Sequence, residues 1–304
     1  MRVWSHDRLT FPLPSGHRFP LGKYRLLRER LIAEGLVAAG DVHEPAAVAW
    51  DRLALVHDPA LLERIRTGAM TRREQQALGL PWSRALVDRA LHSTQGTVEA
   101  ARDALERGTG VNLGGGTHHA GHGVSRGYCL VNDVAVAASM LLRERVVGRV
   151  LVVDCDVHQG DGTAQIFASV PELFTLSLHG AGNYPFTRFP SDLDVDLPSG
   201  TGDEPYLAAL EAALETALSR SRPELAFYLA GADPWHGDRL GRLSLTKAGL
   251  RARDELVLDR LLEAGSAVAV VFAGGYADDV RDTVDINAAT VAALGARMRT
   301  PRPL

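Results

Sequence analysis

Residues 152–162 read VVDCDVHQGDG, and the reading of this stretch decides the fold. Its apolar start extends Val150 and Leu151 into a short, mostly β-branched run, the pattern of a buried strand. Its end carries Asp154, Asp156, His158 and Asp161. Side chains at i, i+2 and i+4 of an extended chain point the same way. A strand that stays extended to its end therefore places Asp154, Asp156 and His158 on one face. Two carboxylates and an imidazole converging at a strand end are hard to account for by packing. They suit a metal that takes oxygen and nitrogen ligands. The alternative is a polar loop whose acids cap the next helix, which has weight for Asp161 because a helix is expected near Thr163.

Outward from this stretch, apolar strand-like runs alternate with amphipathic helices. Strands are expected near 111–113, 150–154, 173–178, 225–230 and 267–273, with helices over 134–144, 163–168, 205–219, 246–263 and 278–297. Upstream, Val3 and Trp4 open a first strand, and the second half of 13–31 has helical spacing. Residues 44–108 read mostly helical, with a helix starting at Pro59 and a longer one over 83–107. Asp203, Glu204 and Pro205 make a good helix start. This is the pattern of an open, mostly parallel sheet flanked by helices, expected as one α/β domain over 1–304.

The strand ends carry the chemistry. GGGTHHAGH follows the 111–113 strand, DCDVHQGDG the 150–153 run, SLHG the 173–176 run, GAD the 225–230 strand and GGY the 267–273 strand. Open parallel sheets bind ligands beyond the carboxyl ends of their strands. His, Asp, Tyr and Gly gather there five times, which points to an enzyme.

Bulk properties exclude several classes. The 304 residues are 46% hydrophobic with net charge −4 and pI near 6.3, so no global basic field draws the chain to nucleic acid or anionic lipid. Two cysteines, Cys129 and Cys155, offer no disulfide framework. The first residues lack the apolar core of a signal peptide, and the longest apolar runs are too short to span a membrane. A cytoplasmic location is expected.

Asp156, His158 and Asp233 form a three-ligand set that leaves positions open for water and substrate, the form of a catalytic metal site. A bound divalent metal lowers the pKa of its water from about 15.7 to about 7. His118 and His119 are candidate acid and base. Asp154 and Asp161 are the spare carboxylates to orient them. Tyr276, on a Gly-Gly turn, is a candidate donor to a developing oxyanion. Other residues keep plainer readings. His17, Arg18 and Lys23 are expected at a solvated helix start, and His57 and His92 are expected to be structural. His122, His179 and His236 are candidates for lining the site mouth, and none is needed for the chemistry. Asp192, Asp194 and Asp196 alternate with apolar residues as on a strand with one solvated face.

The chain resembles the histone deacetylase family, of the arginase–deacetylase fold, and is most similar to class IV and bacterial class IV-like members. The matching pieces are LPSGHRFPLGKYRLL, GGGTHHAGH, GYCLVNDVAVA, VDCDVHQGDGTA, SLHGAGNYP, GADPWHGDRLGRLSLT and AGGYA, in family order. The resemblance implies Zn2+, or Fe2+, on Asp156, His158 and Asp233. It implies His119, oriented by Asp161, as main general base and acid, with His118 paired to Asp154 in an electrostatic role. Tyr276 would polarise the scissile carbonyl. Gly127, Tyr128 and Tyr184 match channel positions around an acyl-lysine stem, Gly127 by removing a side chain that would block it, and Leu240 matches a rim position. A structural K+ would sit on Asp154, Asp156, His158, Ser177 and Leu178. The acidic rim residue that grips substrate backbone in class I members has no match near Asp58.

The reaction so implied removes an acetyl or longer acyl group from acyl-lysine or an acylated small amine. An arginase-like ureohydrolase with two manganese ions would need further converging carboxylates. A metal-bound sensor of acylated ligands would be favoured by loss of Tyr276 or a histidine, and all are present. Oligomeric state is not legible.

Overall fold

The computed structural model describes residues 1–298. The strands are β1 (Val3–Trp4), β2 (Val42–His43), β3 (Thr109–Asn112), β4 (Val150–Asp154), β5 (Leu173–Gly180), β6 (Leu193–Leu197), β7 (Leu225–Leu229) and β8 (Ala267–Val271). The helices are α1 (Lys23–Ala33), α2 (Trp50–Leu53), α3 (Pro59–Thr67), α4 (Arg72–Leu78), α5 (Arg84–Arg107), α6 (Asp133–Arg143), α7 (Asp161–Phe167), α8 (Asp203–Ser221), α9 (Lys247–Glu263) and α10 (Val280–Met298). The eight strands form one open sheet in the order β2-β1-β3-β8-β7-β4-β5-β6, with every neighbouring pair parallel. This is the expected α/β architecture.

Strand periodicity sorts the core into two layers. In β4, Val150 and Val152 face one apolar cluster while Leu151 and Val153 face the other. β7 divides likewise, Phe227 to the first and Ala226 and Tyr228 to the second. Strands covered on both faces need continuous apolar runs, which is why β4, β7 and β8 were readable. Helices α3, α5 and α6 contribute to the first layer, and α1, α8, α9 and α10 to the second.

Helix starts follow from local chemistry. Asp58 accepts hydrogen bonds from the Ala60 and Leu61 amides (2.6 and 3.1 Å) ahead of Pro59. Asp203 opens α8 as expected, but its carboxylate reaches across to α9, accepting from Thr246 N and Oγ1 (2.8 and 2.6 Å). β2, a two-residue edge strand beside β1, was not among the expected strands. The acid-bearing face of β6 is only partly solvated, since Asp194 is half-buried and accepts from Gln159 Nε2 at 2.9 Å.

Candidate active site

The parallel register brings five loops to one edge of the sheet, and the loop after β4 is the centre. β4 ends at Asp154, so the premise of an extended strand reaching His158 does not hold. The chain instead turns twice on its own carboxylates. The Asp156 amide donates to Asp154 Oδ1 (3.1 Å), and the His158 amide to Asp156 Oδ1 (2.9 Å). Asp154 is turned toward His118, and Asp156 and His158 meet Asp233 from the loop after β7. One ligand atom from each of these three lies within 4.8 Å of the others, all buried.

Backbone amides fix the trio. Val157 N donates to Asp233 Oδ1 (2.9 Å) and Gly274 N to Asp156 Oδ2 (2.6 Å). Gly274 has to be glycine, because a Cβ there would collide with both carboxylates. Asp233 Oδ2 is buried and accepts no hydrogen bond, although His158 Nδ1 lies 3.2 Å away. Burial and the neighbouring Asp156 charge push Asp233 up to about 7. Burial opposes charge on His158, but its contact with Asp156 (Nδ1 to Oδ1, 2.9 Å) and the nearby Asp233 carboxylate outweigh it and raise the imidazole to about 10. The donor set fits a divalent cation. Two carboxylates match its charge, an oxygen is free to bind it, and the cation would displace the protons that otherwise relieve the crowding.

The loop after β3 supplies the histidine pair. Its GGGT turn is held by Asp133 at the start of α6, which accepts from Thr117 N (2.7 Å) and Gly116 N (3.1 Å). His118 Nδ1 lies 2.6 Å from Asp154 Oδ2, and His119 Nδ1 lies 2.7 Å from Asp161 Oδ1. The two rings are 4.1 Å apart between centroids. Burial disfavours charge on both, yet Asp154 and Asp156 raise His118 to about 9. For His119, burial and the adjacent His118 charge prevail and lower it to about 4. One imidazole is thus held charged and its neighbour neutral. Asp161 serves as the first residue of α7, not as its cap, and its second oxygen pairs with Arg126.

Tyr276 stands on the loop after β8, its amide donating to Asp238 Oδ2 (2.5 Å). Burial and then the Asp156 and Asp233 charges raise its phenol well above the usual range, so it remains a donor. A cavity of about 630 Å³ opens onto this site, lined by Asp156, His158, His118, His119 and Tyr276. Tyr128, Tyr184, Gly127 and Leu240 line it. The Tyr184 ring stands edge-on to His119 at 4.9 Å and Tyr128 lies 5.8 Å from Tyr276. Gly127 has another reason than the one expected: φ is +57°, and a Cβ would strike the His119 ring. Ser177 and Asp154 are register partners in β5 and β4, and Ser177 Oγ meets His179 Nδ1 at 3.0 Å.

Several expectations need correction. Lys23 is not at a solvated helix start: it is 2% exposed, lines the cavity, and donates to Ala273 O at 3.1 Å. His122, His179 and His236 are not among the residues lining the main cavity. His122 bonds Val56 O (2.8 Å), and His179 is fully buried beside Ser177. Sequence reasoning missed Asp238, which accepts from the Leu240 and Gly241 amides as well as Tyr276. It also missed Arg126, and Arg253, whose Nη1 donates to Gly231 O (2.5 Å) and Cys155 O (3.4 Å) beneath the two metal-facing loops. The acid in the WHGDRLG turn was the available signal for Asp238.

A parallel sheet with a two-Asp, one-His trio, a histidine pair and a tyrosine at its carboxyl edge has the make-up of a hydrolase whose trio can hold a metal. The histone deacetylase domain profile matches residues 17–293, and the chain belongs to the histone deacetylase family. An uncharacterized protein of Picosynechococcus sp. is 44% identical over 282 residues, covering 93% of this chain and 94% of that protein. Histone deacetylase 2 of Arabidopsis thaliana is 29% identical over 282 residues, covering 90% and 73%. Acetoin utilization protein AcuC of Bacillus subtilis is 27% identical over 267 residues, covering 80% and 68%. In three dimensions the chain is similar to the HDA15 HD domain, with TM-score 0.82 and 24% identity over 99% of this chain and 89% of that one. The chain is a deacetylase of the hydrolase class.

Proposed function

We propose that this deacetylase uses one divalent metal, Zn2+ or Fe2+, on Asp156, His158 and Asp233 to remove an acyl group from an acyl-lysine or an acylated small amine. The observation that carries the reading is the convergence on one cavity of Asp156 and His158 of the trio, His119 backed by Asp161, and Tyr276. The metal would polarise the acyl carbonyl and acidify water. His119, with a proton on Nδ1 where Asp161 accepts it, keeps the Nε2 lone pair for the water proton and later returns that proton to the leaving nitrogen. His118, held charged, stabilises negative charge near the trio. Tyr276 donates its phenol proton toward the developing oxyanion. Tyr128 and Tyr184 flank the methylene stem above Gly127, and Leu240 marks the rim.

A structural K+ is proposed on Asp154, Asp156, His158, Ser177 and Leu178, and a single catalytic domain over 1–304. A cytoplasmic setting is proposed from the two buried free cysteines. The test is a turnover panel of metal-loaded protein against acetyl-, butyryl- and longer acyl-lysine peptides and acylated diamines, with both products quantified. Equimolar amine and carboxylate are expected from at least one acyl class. No amine release from any of them, with urea released from a guanidino compound, would overturn the reading.

A further inference from the structure

The chain is acidic overall, with 37 Asp and Glu against 33 Lys and Arg. The main cavity inverts that balance. Its lining includes Arg18, Lys23, Arg239 and Arg242, and a single acid, the metal-facing Asp156. Arg18, Arg239 and Arg242 are exposed, while Lys23 is buried. Arg239 is committed, donating to Tyr276 O (2.9 Å) and lying 3.4 Å from Asp278. Arg18 and Arg242 have no ion-pair partner among the described residues. Elsewhere the surface arginines are mostly paired within the fold, as Arg25 is with Glu29, Arg64 with Glu74 and Arg297 with Asp259.

Position distinguishes these two. Arg239 Nη2 reaches the Arg18 carbonyl at 3.5 Å, which places Arg18 beside the Tyr276 loop. Arg242 is tied to the channel wall: its amide donates to Asn183 Oδ1 (3.2 Å), next to Tyr184, and Asn183 Nδ2 donates to Leu240 O (2.8 Å). Free guanidiniums thus adjoin both the Tyr276 and the Tyr184 sides of the channel. Like charges of this kind, uncompensated around a concave opening, focus a positive potential outward and present planar donor forks to carboxylate or phosphate.

We propose that the cavity mouth selects anionic substrates: an acyl-amine whose amine half carries a carboxylate or phosphate held at Arg18 and Arg242. This rests on the deacylase reading above and narrows its substrate class. The acidic group comes either from side chains flanking an acyl-lysine or from a small amine bearing its own acid. Acylated polyamines, which stay cationic beyond the amide, are disfavoured. The reaction is unchanged. Water oxygen bonds to the acyl carbon, the C–N bond breaks with its electron pair going to nitrogen, nitrogen takes a proton, and the acyl group leaves as a carboxylate.

The test uses metal-loaded full-length protein and acetyl-lysine peptides of equal length flanked by Glu, Gln or Lys. N-acetyl-lysine with a free carboxylate and blocked α-amine is compared with a mono-acetylated diamine. Expected kcat/KM falls from Glu to Gln to Lys, by roughly 10- to 100-fold end to end, carried mainly by KM and compressed at high salt. The order should reverse in the Arg18→Glu, Arg242→Glu double variant. Conservative Arg18→Lys and Arg242→Lys changes should preserve it. Preference for the peptide series or for the small acid tells which source the mouth serves. Equal turnover of all peptides, a Lys preference, or an order untouched by the double reversal overturns the proposal while leaving the deacylase reading intact. Failure to turn over even the Gln peptide and every other acyl-amine would instead overturn that reading.

Discussion

At the scale of single residues, the site divides labour between two adjacent imidazoles by surrounding each with a different balance of charge and burial. Burial works against charge on both; at His118 the Asp154 and Asp156 charges outweigh it and raise the ring to about 9, whereas at His119 burial and the His118 charge outweigh Asp161 and lower the ring to about 4. The proposed roles predict that His119→Ala and Tyr276→Phe retain the metal yet lose turnover by roughly 100- to 1,000-fold, the usual effect of removing a transition-state donor. Metal content and kcat measured on the same preparations check this, and near-wild-type turnover in either variant contradicts it. A second residue-scale prediction concerns His57, which is fully buried. Its Nδ1 meets Gly121 O at 2.9 Å and its Nε2 accepts from the Asn132 amide at 2.9 Å, so only the neutral ring satisfies both contacts. Burial lowers it from 6.5 to about 4. The unfolded chain therefore takes up this proton first, and His57's contribution is full above pH 6.5 and is lost as pH falls toward 4. The full effect is roughly 3 kcal/mol. Denaturant unfolding across that range should show a steeper acid decline in wild type than in His57→Gln; parallel profiles would contradict it.

At the scale of elements, the catalytic loops are positioned from behind by groups that never touch substrate. Arg253 is fully buried on α9, forks onto Asp254 (2.9 and 2.8 Å), and donates to the carbonyls of Gly231 and Cys155. Asp254 in turn accepts from Tyr228 on β7 and Thr290 on α10 (2.5 and 2.6 Å). Arg253→Met leaves a buried carboxylate short of its partner and should cost about 3–5 kcal/mol, read as a fall in thermal midpoint; an unchanged midpoint would argue against this linkage. Gly274→Ala should leave the sheet folded but move the Asp156 and Asp233 carboxylates, weakening metal affinity by roughly 10- to 100-fold. Circular dichroism with a competitive metal titration separates the two effects, and unaltered affinity would contradict the packing reason for glycine. The same contrast explains what the sequence revealed. β4, β7 and β8 announce themselves through apolar runs, and the strand-end motifs through unusual residue types. Arg253 sits in RARDELVLDR, a stretch indistinguishable in sequence from a solvated helix face, and Lys23 in an ordinary polar helix start. Their burial is decided by tertiary packing of α1, α9 and α10, which no local period reports.

At the scale of the whole molecule, the eight parallel strands deliver five loops to one edge, and that convergence was legible because each loop follows its strand directly in the chain. The mutual geometry was less so. The spacing of Asp154, Asp156 and His158 suggested one shared face, whereas two carboxylate-capped turns send Asp154 to a histidine and the other two to Asp233. One convergent trio is found among the described residues, and the account's central claim is that this trio holds a single catalytic metal. The most direct measurement is elemental analysis of dialysed protein paired with deacetylation turnover, for wild type and Asp233→Ala. The account predicts close to one equivalent of divalent transition metal per chain in wild type, turnover proportional to occupancy, and loss of both in the variant. Two tightly held transition metals per chain, or full turnover in metal-free protein, would contradict it.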